Sequence, residues 1–246
     1  MSRFLLLAST VCLLLGSAEL VRAQDNSLAV IDKAIKAHGG EEQLAKLKAR
    51  QVKIKGVAGD SIPFTQIVFY QAPAQIKEIT YVDVLGRKST IISVWNGTEG
   101  WIIVDGEAQE LSDKKLIELK EAAHLARVSR LAGLKNKDYQ LAALAEIQVG
   151  DRPAAGVKIS AKGYRDLNLY FDKETGLLVK SERKTLDIVS DDLVNEETYY
   201  SGWKEIDGLK TPMSVLVQRD GKKLLESEAF EVKFLDRLDE SIFAKP

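Results

Sequence analysis

The sequence predicts an α+β fold built on one large antiparallel sheet, with helices at its front and in one mid-chain interruption. Three observations carry this. Residues 26–38 repeat with a helical period; residues 51–105 and 139–235 alternate with a period of two between turn signals; and those turns are too short for parallel crossovers. Roughly a dozen strands follow one another in hairpin order, and a sheet of that size tends to curl or close.

The chain opens with Arg3, an apolar run over residues 4–16, and Val21-Arg22-Ala23 before Gln24. This is the pattern of a secretory signal cleaved after Ala23, and its apolar run is too short to cross a ~30 Å hydrocarbon core. No later stretch approaches the ~20 apolar residues of a transmembrane helix, so residues 24–246 are expected to form a single periplasmic domain. The only cysteine, Cys12, leaves with the signal, and Ser9-Thr10-Val11 lacks the residues expected ahead of a lipidated cysteine. With 35 basic against 36 acidic residues the chain is near neutral, which argues against nucleic-acid binding. Hydrophobic residues make up 45%, enough for one core or two small ones, and no linker composition divides the chain.

The first helix places Leu28, Ile31, Ala34, Ile35 and His38 on one arc, with Asn26 or Ser27 as cap and Gly39-Gly40 as its end. A short second helix over 41–49 presents Leu44 and Leu47. Strands are predicted at 51–58, 63–71, 75–83, 89–95 and 100–105, with Leu85-Gly86 and Asn96-Gly97 among the turns. A helix then runs from Ser112 as N-cap to Gly133 as C-cap. Leu116, Leu119, Ala123 and Ala126 form one apolar stripe on it, while Ile117, Leu125 and Val128 lie on the opposite side. Further strands are predicted at 139–148, 155–162, 166–172, 177–186, 195–206, 212–219 and 222–235.

Two strands are apolar on both faces: Trp101 and Ile103 alternate with Ile102 and Val104, and Ile91 and Trp95 with Ile92 and Val94. One reading is a sheet covered by helices on one face and tightly packed on the other. The alternative is an apolar cavity for a lipid-like ligand.

Catalytic signatures are missing. His38 and His124 have no metal-ligand spacing, so no metal or other cofactor is expected; His38 reads as a structural histidine at a helix end, and His124 as solvent-facing beside Lys120 or Arg127. Ser61 and Ser201 lack a nucleophile elbow, and Asp191-Asp192 and Glu196-Glu197 read as solvated charge. No catalytic residue is assigned.

Three segments, in order, resemble the LolA-like and LolB-like superfamily of outer-membrane lipoprotein-sorting carriers. Residues 91–105 resemble its hairpin of strand, Asp/Asn-Gly, three residues and Trp, here Asn96-Gly97 and Trp101. Residues 169–179, followed by YSGWKEIDGLKTP at 200–212, resemble its paired late hairpins, and Leu238-Asp239-Glu240-Ser241-Ile242-Phe243 resembles its ending. Ala37-His38-Gly39-Gly40 and residues 44–47 add to the likeness. The resemblance implies an incomplete β-barrel, a half-barrel whose concave side is covered or plugged by helices over an acyl-chain cavity, with the mid-chain helix at its mouth.

The leading expectation is therefore a non-enzymatic periplasmic protein that binds a lipid or the acyl chains of a lipoprotein, and in that way carries lipoprotein to the outer membrane. The residues expected to line its cavity are Val68, Tyr70, Ile92, Val94, Trp101, Ile103, Leu116, Leu119 and Ala123. The alternative expectation is an envelope sensor or scaffold that grips a protein partner through Leu125 and Val128.

Overall fold

The computed structural model describes residues 26–46, 48–187 and 190–245; the expected signal at 1–23 lies outside them. Helix α1 spans residues 26–37, and its buried residues Ile31, Ala34, Ile35 and the following His38 are the predicted arc. It starts early enough that Ser27 lies inside the helix and is buried. Gly39 and Gly40 both have positive φ, and the Gly40 amide returns to the Ile35 carbonyl at 2.9 Å, ending the helix as expected. Helix α2 is the single short turn-and-a-half Glu41–Lys46.

Five strands follow: β1 (Ala49–Ala58), β2 (Ile62–Gln71), β3 (Gln75–Val84), β4 (Arg87–Trp95) and β5 (Gly100–Val104), then the short exposed β6 (Glu107–Gln109). Helix α3 (Asp113–Val128) is capped by the Ser112 side chain, which accepts from the Lys115 amide. It stops at Ser129, before the predicted Gly133, because residues 129–137 form successive turns that include Leu131 and Gly133 at positive φ. Then come β7 (Tyr139–Val149), β8 (Arg152–Ala161), β9 (Leu167–Asp172), β10 (Leu178–Leu186), β11 (Leu193–Ser201), β12 (Lys204–Ile206), β13 (Leu209–Thr211), β14 (Ser214–Arg219), β15 (Lys222–Leu235) and the 3-10 helix η1 (Glu240–Phe243).

The predicted strand 195–206 is two elements. Gly202 takes φ +65°, so β11 ends at Ser201, and β12 pairs with β13 in a separate two-stranded hairpin. All other strands form one antiparallel sheet in the order β6-β5-β4-β3-β2-β1-β15-β14-β11-β10-β9-β8-β7. The last strand therefore lies beside the first, joining two meanders at the middle of the sheet. Bulges between Lys53 and Ile54 and between Val217 and Gln218 bend these central strands, and another between Leu178 and Lys180 bends β10. The sheet does not close into a barrel, and β6 and β7 are its edges.

Both long helices cover the same face, here called inner. α1 and the turns after α3 pack on β7 to β10 through Ile31, Ile35, Leu131, Leu134, Val157, Ile159, Leu167, Leu169 and Phe171. α3 packs on the other wing through Ala123 and Leu119 against Ile76, Trp95 and Val68. The outer face of that wing is sealed by η1, whose Phe243 joins Leu238, Ala49, Val94 and Trp101. The middle of the inner face, between these helix-covered wings, is left open.

Candidate functional site

That opening is a cavity of about 550 Å³, within the ~300–1,000 Å³ usual for small-molecule sites. Its floor alternates inward from the central strands: Val52 and Ile54 of β1, Val68 of β2, Ile76 of β3, Val215 and Val217 of β14, Leu225 and Ala229 of β15. Ala122, Leu125 and Ala126 of α3 form one wall, and Trp203, Leu209 and Met213 from the β12–β13 region form another.

Few polar groups enter this apolar space, and most are satisfied. His38 bonds the Ala34 carbonyl through Nδ1 at 2.7 Å and accepts the Leu178 amide at Nε2, so the neutral ring is locked in one tautomer and burial holds its pKa below the usual value. It is a structural histidine, as expected, packed edge-on against Trp203. At one end of the cavity Glu196 lies between two arginines, accepting from Arg183 Nε at 2.7 Å and Arg219 Nε at 3.0 Å. Glu78 accepts from Ser93 at 3.3 Å and is raised in pKa chiefly by burial, with Arg183 opposing. At the other end stand Arg50 and Arg130, both over the face of Tyr70 at 5.7 and 5.0 Å. Arg130 also donates to the Leu44 and Lys48 carbonyls, tying the end of α3 to the α2–β1 connection.

Strand register decides where the nine expected lining residues fall. Val68 lines the cavity. Tyr70 is on the same face, buried beside it, with its hydroxyl donating to the Pro73 carbonyl. Leu119 and Ala123 face Val68 from α3, and Leu116 is half-buried one turn earlier on that helix. Ile92, Val94, Trp101 and Ile103 are elsewhere: they pack on the outer face with η1. The pairing Val68–Glu78, Glu78–Ser93 and Ser93–Ile102 shows that Ser93, Trp95 and Ile102 share the inner face with Val68. Strands apolar on both faces carry no alternation from which to read this. The two-residue turn Leu85-Gly86 did hold the information, because counting back from it pairs Ile79 with Ile92.

Three other expectations are corrected. Val128 is wholly buried in the core and Leu125 faces the cavity, so they present no partner surface. His124 is not solvent-facing: it is 2% exposed and stacked on Tyr164 at 3.9 Å. Burial, aided by Arg127 and Lys120, pulls its pKa down to about 4. Glu196 and Glu197 are not a solvated pair, since alternation sends the buried Glu196 to Arg183 and Arg219 and Glu197 to Lys180 on the outer face. The residues missed by sequence reasoning are Arg50, Arg130 and Arg183, half-buried around the cavity in a way no local pattern announces.

No family model matches the sequence, and comparison with curated proteins gives no match. Solved structures do match over most of the chain. A LolA superfamily protein from Nitrosomonas europaea aligns over 89% of this chain and 97% of its own with TM-score 0.54 and 16% identity. A domain from Vibrio parahaemolyticus, named for outer membrane lipoprotein sorting, gives 0.52 and 10% over 89% and 97%. A DUF1329 family protein from Desulfovibrio piger gives 0.50 and 15% over the same shares. At such identities what is shared is the arrangement of strands and helices described above: the chain has a LolA-like fold.

Proposed function

We propose that this chain is an exported envelope protein that binds an acyl chain, of a lipid or a lipoprotein, between α3 and the middle of its sheet, and that it works as a carrier without catalysing a reaction. The observation that supports this most is the 550 Å³ cavity, with a floor of mostly branched aliphatic residues from five strands. Each methylene transferred there from water contributes ~0.8 kcal/mol, so a long chain gains its affinity from burial and needs few polar contacts. The leader-like residues 1–23 and the fold's likeness to a lipoprotein-sorting domain support placement in the envelope.

Native mass spectrometry of protein purified gently from the periplasm, with organic extraction of what accompanies it, tests the reading. About one acyl species per chain is expected, and it should be lost in Leu125→Arg, which projects a charge into the cavity. Protein that carries no acyl species and takes up neither added fatty acid nor phospholipid would overturn it.

A further inference from the structure

We infer that the ligand of this cavity is an amphiphile with an anionic end, a carboxylate or a phosphate monoester, and that this end seats on the guanidinium of Arg50; the inference rests on the acyl-binding reading and adds the chemistry of the head group. Arg50 rises from β1 into the cavity. No carboxylate pairs with it among the described residues, and its Nε is buried without a hydrogen-bond partner. Its charged neighbour is Arg130, it lies over the ring face of Tyr70, and Tyr200 is the other phenol near it. Burial and the Arg130 charge draw Arg50 down to about 10, which leaves it protonated at neutral pH.

A charged group removed from water is costly unless paired. The other cavity arginines have partners: Arg183 and Arg219 share Glu196, and Arg130 donates to the Leu44 and Lys48 carbonyls. Glu78, the remaining cavity carboxylate, bonds Ser93 and sits in the field of Arg183. Arg50 is the exception, and its planar, forked donors match a carboxylate or phosphate. The apolar floor beside it, Val52 and Val68, then takes the chain, so one molecule satisfies both features.

The test is calorimetric titration of the delipidated protein with oleate, lysophosphatidate and monoolein, each below its micellar concentration. Binding of either anionic amphiphile about tenfold or more tighter than monoolein is expected, and the stronger of the two identifies the head group. Arg50→Gln should bring the anionic ligands to the level of monoolein, while Arg50→Lys keeps part of the preference. Should Arg50→Gln not fold, the wild-type comparison and Arg50→Lys still decide. Equal binding of all three, or an equal loss of oleate and monoolein in Arg50→Gln, overturns the anionic seat while leaving the acyl-binding reading in place. Binding of none overturns both.

Discussion

At the scale of single residues, a histidine buried in its uncharged form on α3 makes this protein sensitive to acid. His124 is neutral in the fold, with its pKa down at about 4 against an ordinary 6.5, so the unfolded chain binds its proton first as pH falls. The sign follows: protonation of His124 takes no stability from the fold well above pH 6.5, and stability is lost as pH drops from there toward 4. Urea unfolding at pH 7 and pH 5 should show a loss of about 2 kcal/mol from this group, and His124→Gln should reduce that loss. An unchanged pH slope in the variant would mean that His124 keeps its proton in the fold. Glu196 makes a second prediction. Its removal takes the carboxylate from Arg183 and leaves Arg219 only Asp187 at 3.9 Å, so Glu196→Ala should destabilise by about 3 kcal/mol. The neighbouring Glu197→Ala should cost under about 1 kcal/mol, because Lys180 keeps Glu182 at 2.7 Å. Comparable losses for the two would contradict the register that separates them.

Among the elements, the end of α1 is a tightly specified junction. Gly39 has φ +125°, and a Cβ there would lie 2.4 Å from the Gly208 carbonyl oxygen in the β12–β13 turn. Gly40 also has positive φ, but a Cβ there would meet nothing within 4 Å. Gly40→Ala should therefore cost about 1 kcal/mol from backbone strain alone. Gly39→Ala should cost about 3 kcal/mol, because it adds overpacking against a backbone that must move. Equal costs in thermal unfolding would mean that the β12–β13 hairpin does not rest on α1. That hairpin helps wall the cavity, and the Lys210 amide donates to the His38 carbonyl at 3.1 Å, so the helix end and the site are built together.

For the whole molecule, the arrangement is two helix-covered wings flanking an open middle. On the acyl-binding proposal, a ligand filling that middle makes contacts that the unfolded chain lacks, so its binding raises stability by mass action. An acyl ligand at about a hundred times its Kd should stabilise by ~2.7 kcal/mol, seen as a rise in Tm. Leu125→Arg should abolish the rise while leaving the unliganded Tm lower or equal. A rise that persists in the variant would place the ligand outside this cavity.

Local patterning in the sequence determined most of the elements: the α1 arc, its double-glycine end, the Ser112 cap, and nearly all the strands. Each is set by contacts within a few residues, whether a side-chain period, a turn dipeptide or a cap. The neighbours within β1–β6, within β7–β11 and in the β14–β15 pair followed from hairpin connections too short for any other pairing. Tertiary structure alone decided which face of β4 and β5 looks inward, since Ile91 to Trp95 are apolar on both sides and only the register through β3 separates Ser93 from Ile92 and Val94. It also decided that β15 pairs with β1, that Leu125 and Val128 turn toward the core, and that Arg50 enters an apolar cavity. These outcomes depend on contacts between residues far apart in the chain, where burial is fixed by what packs opposite and not by the neighbours in sequence.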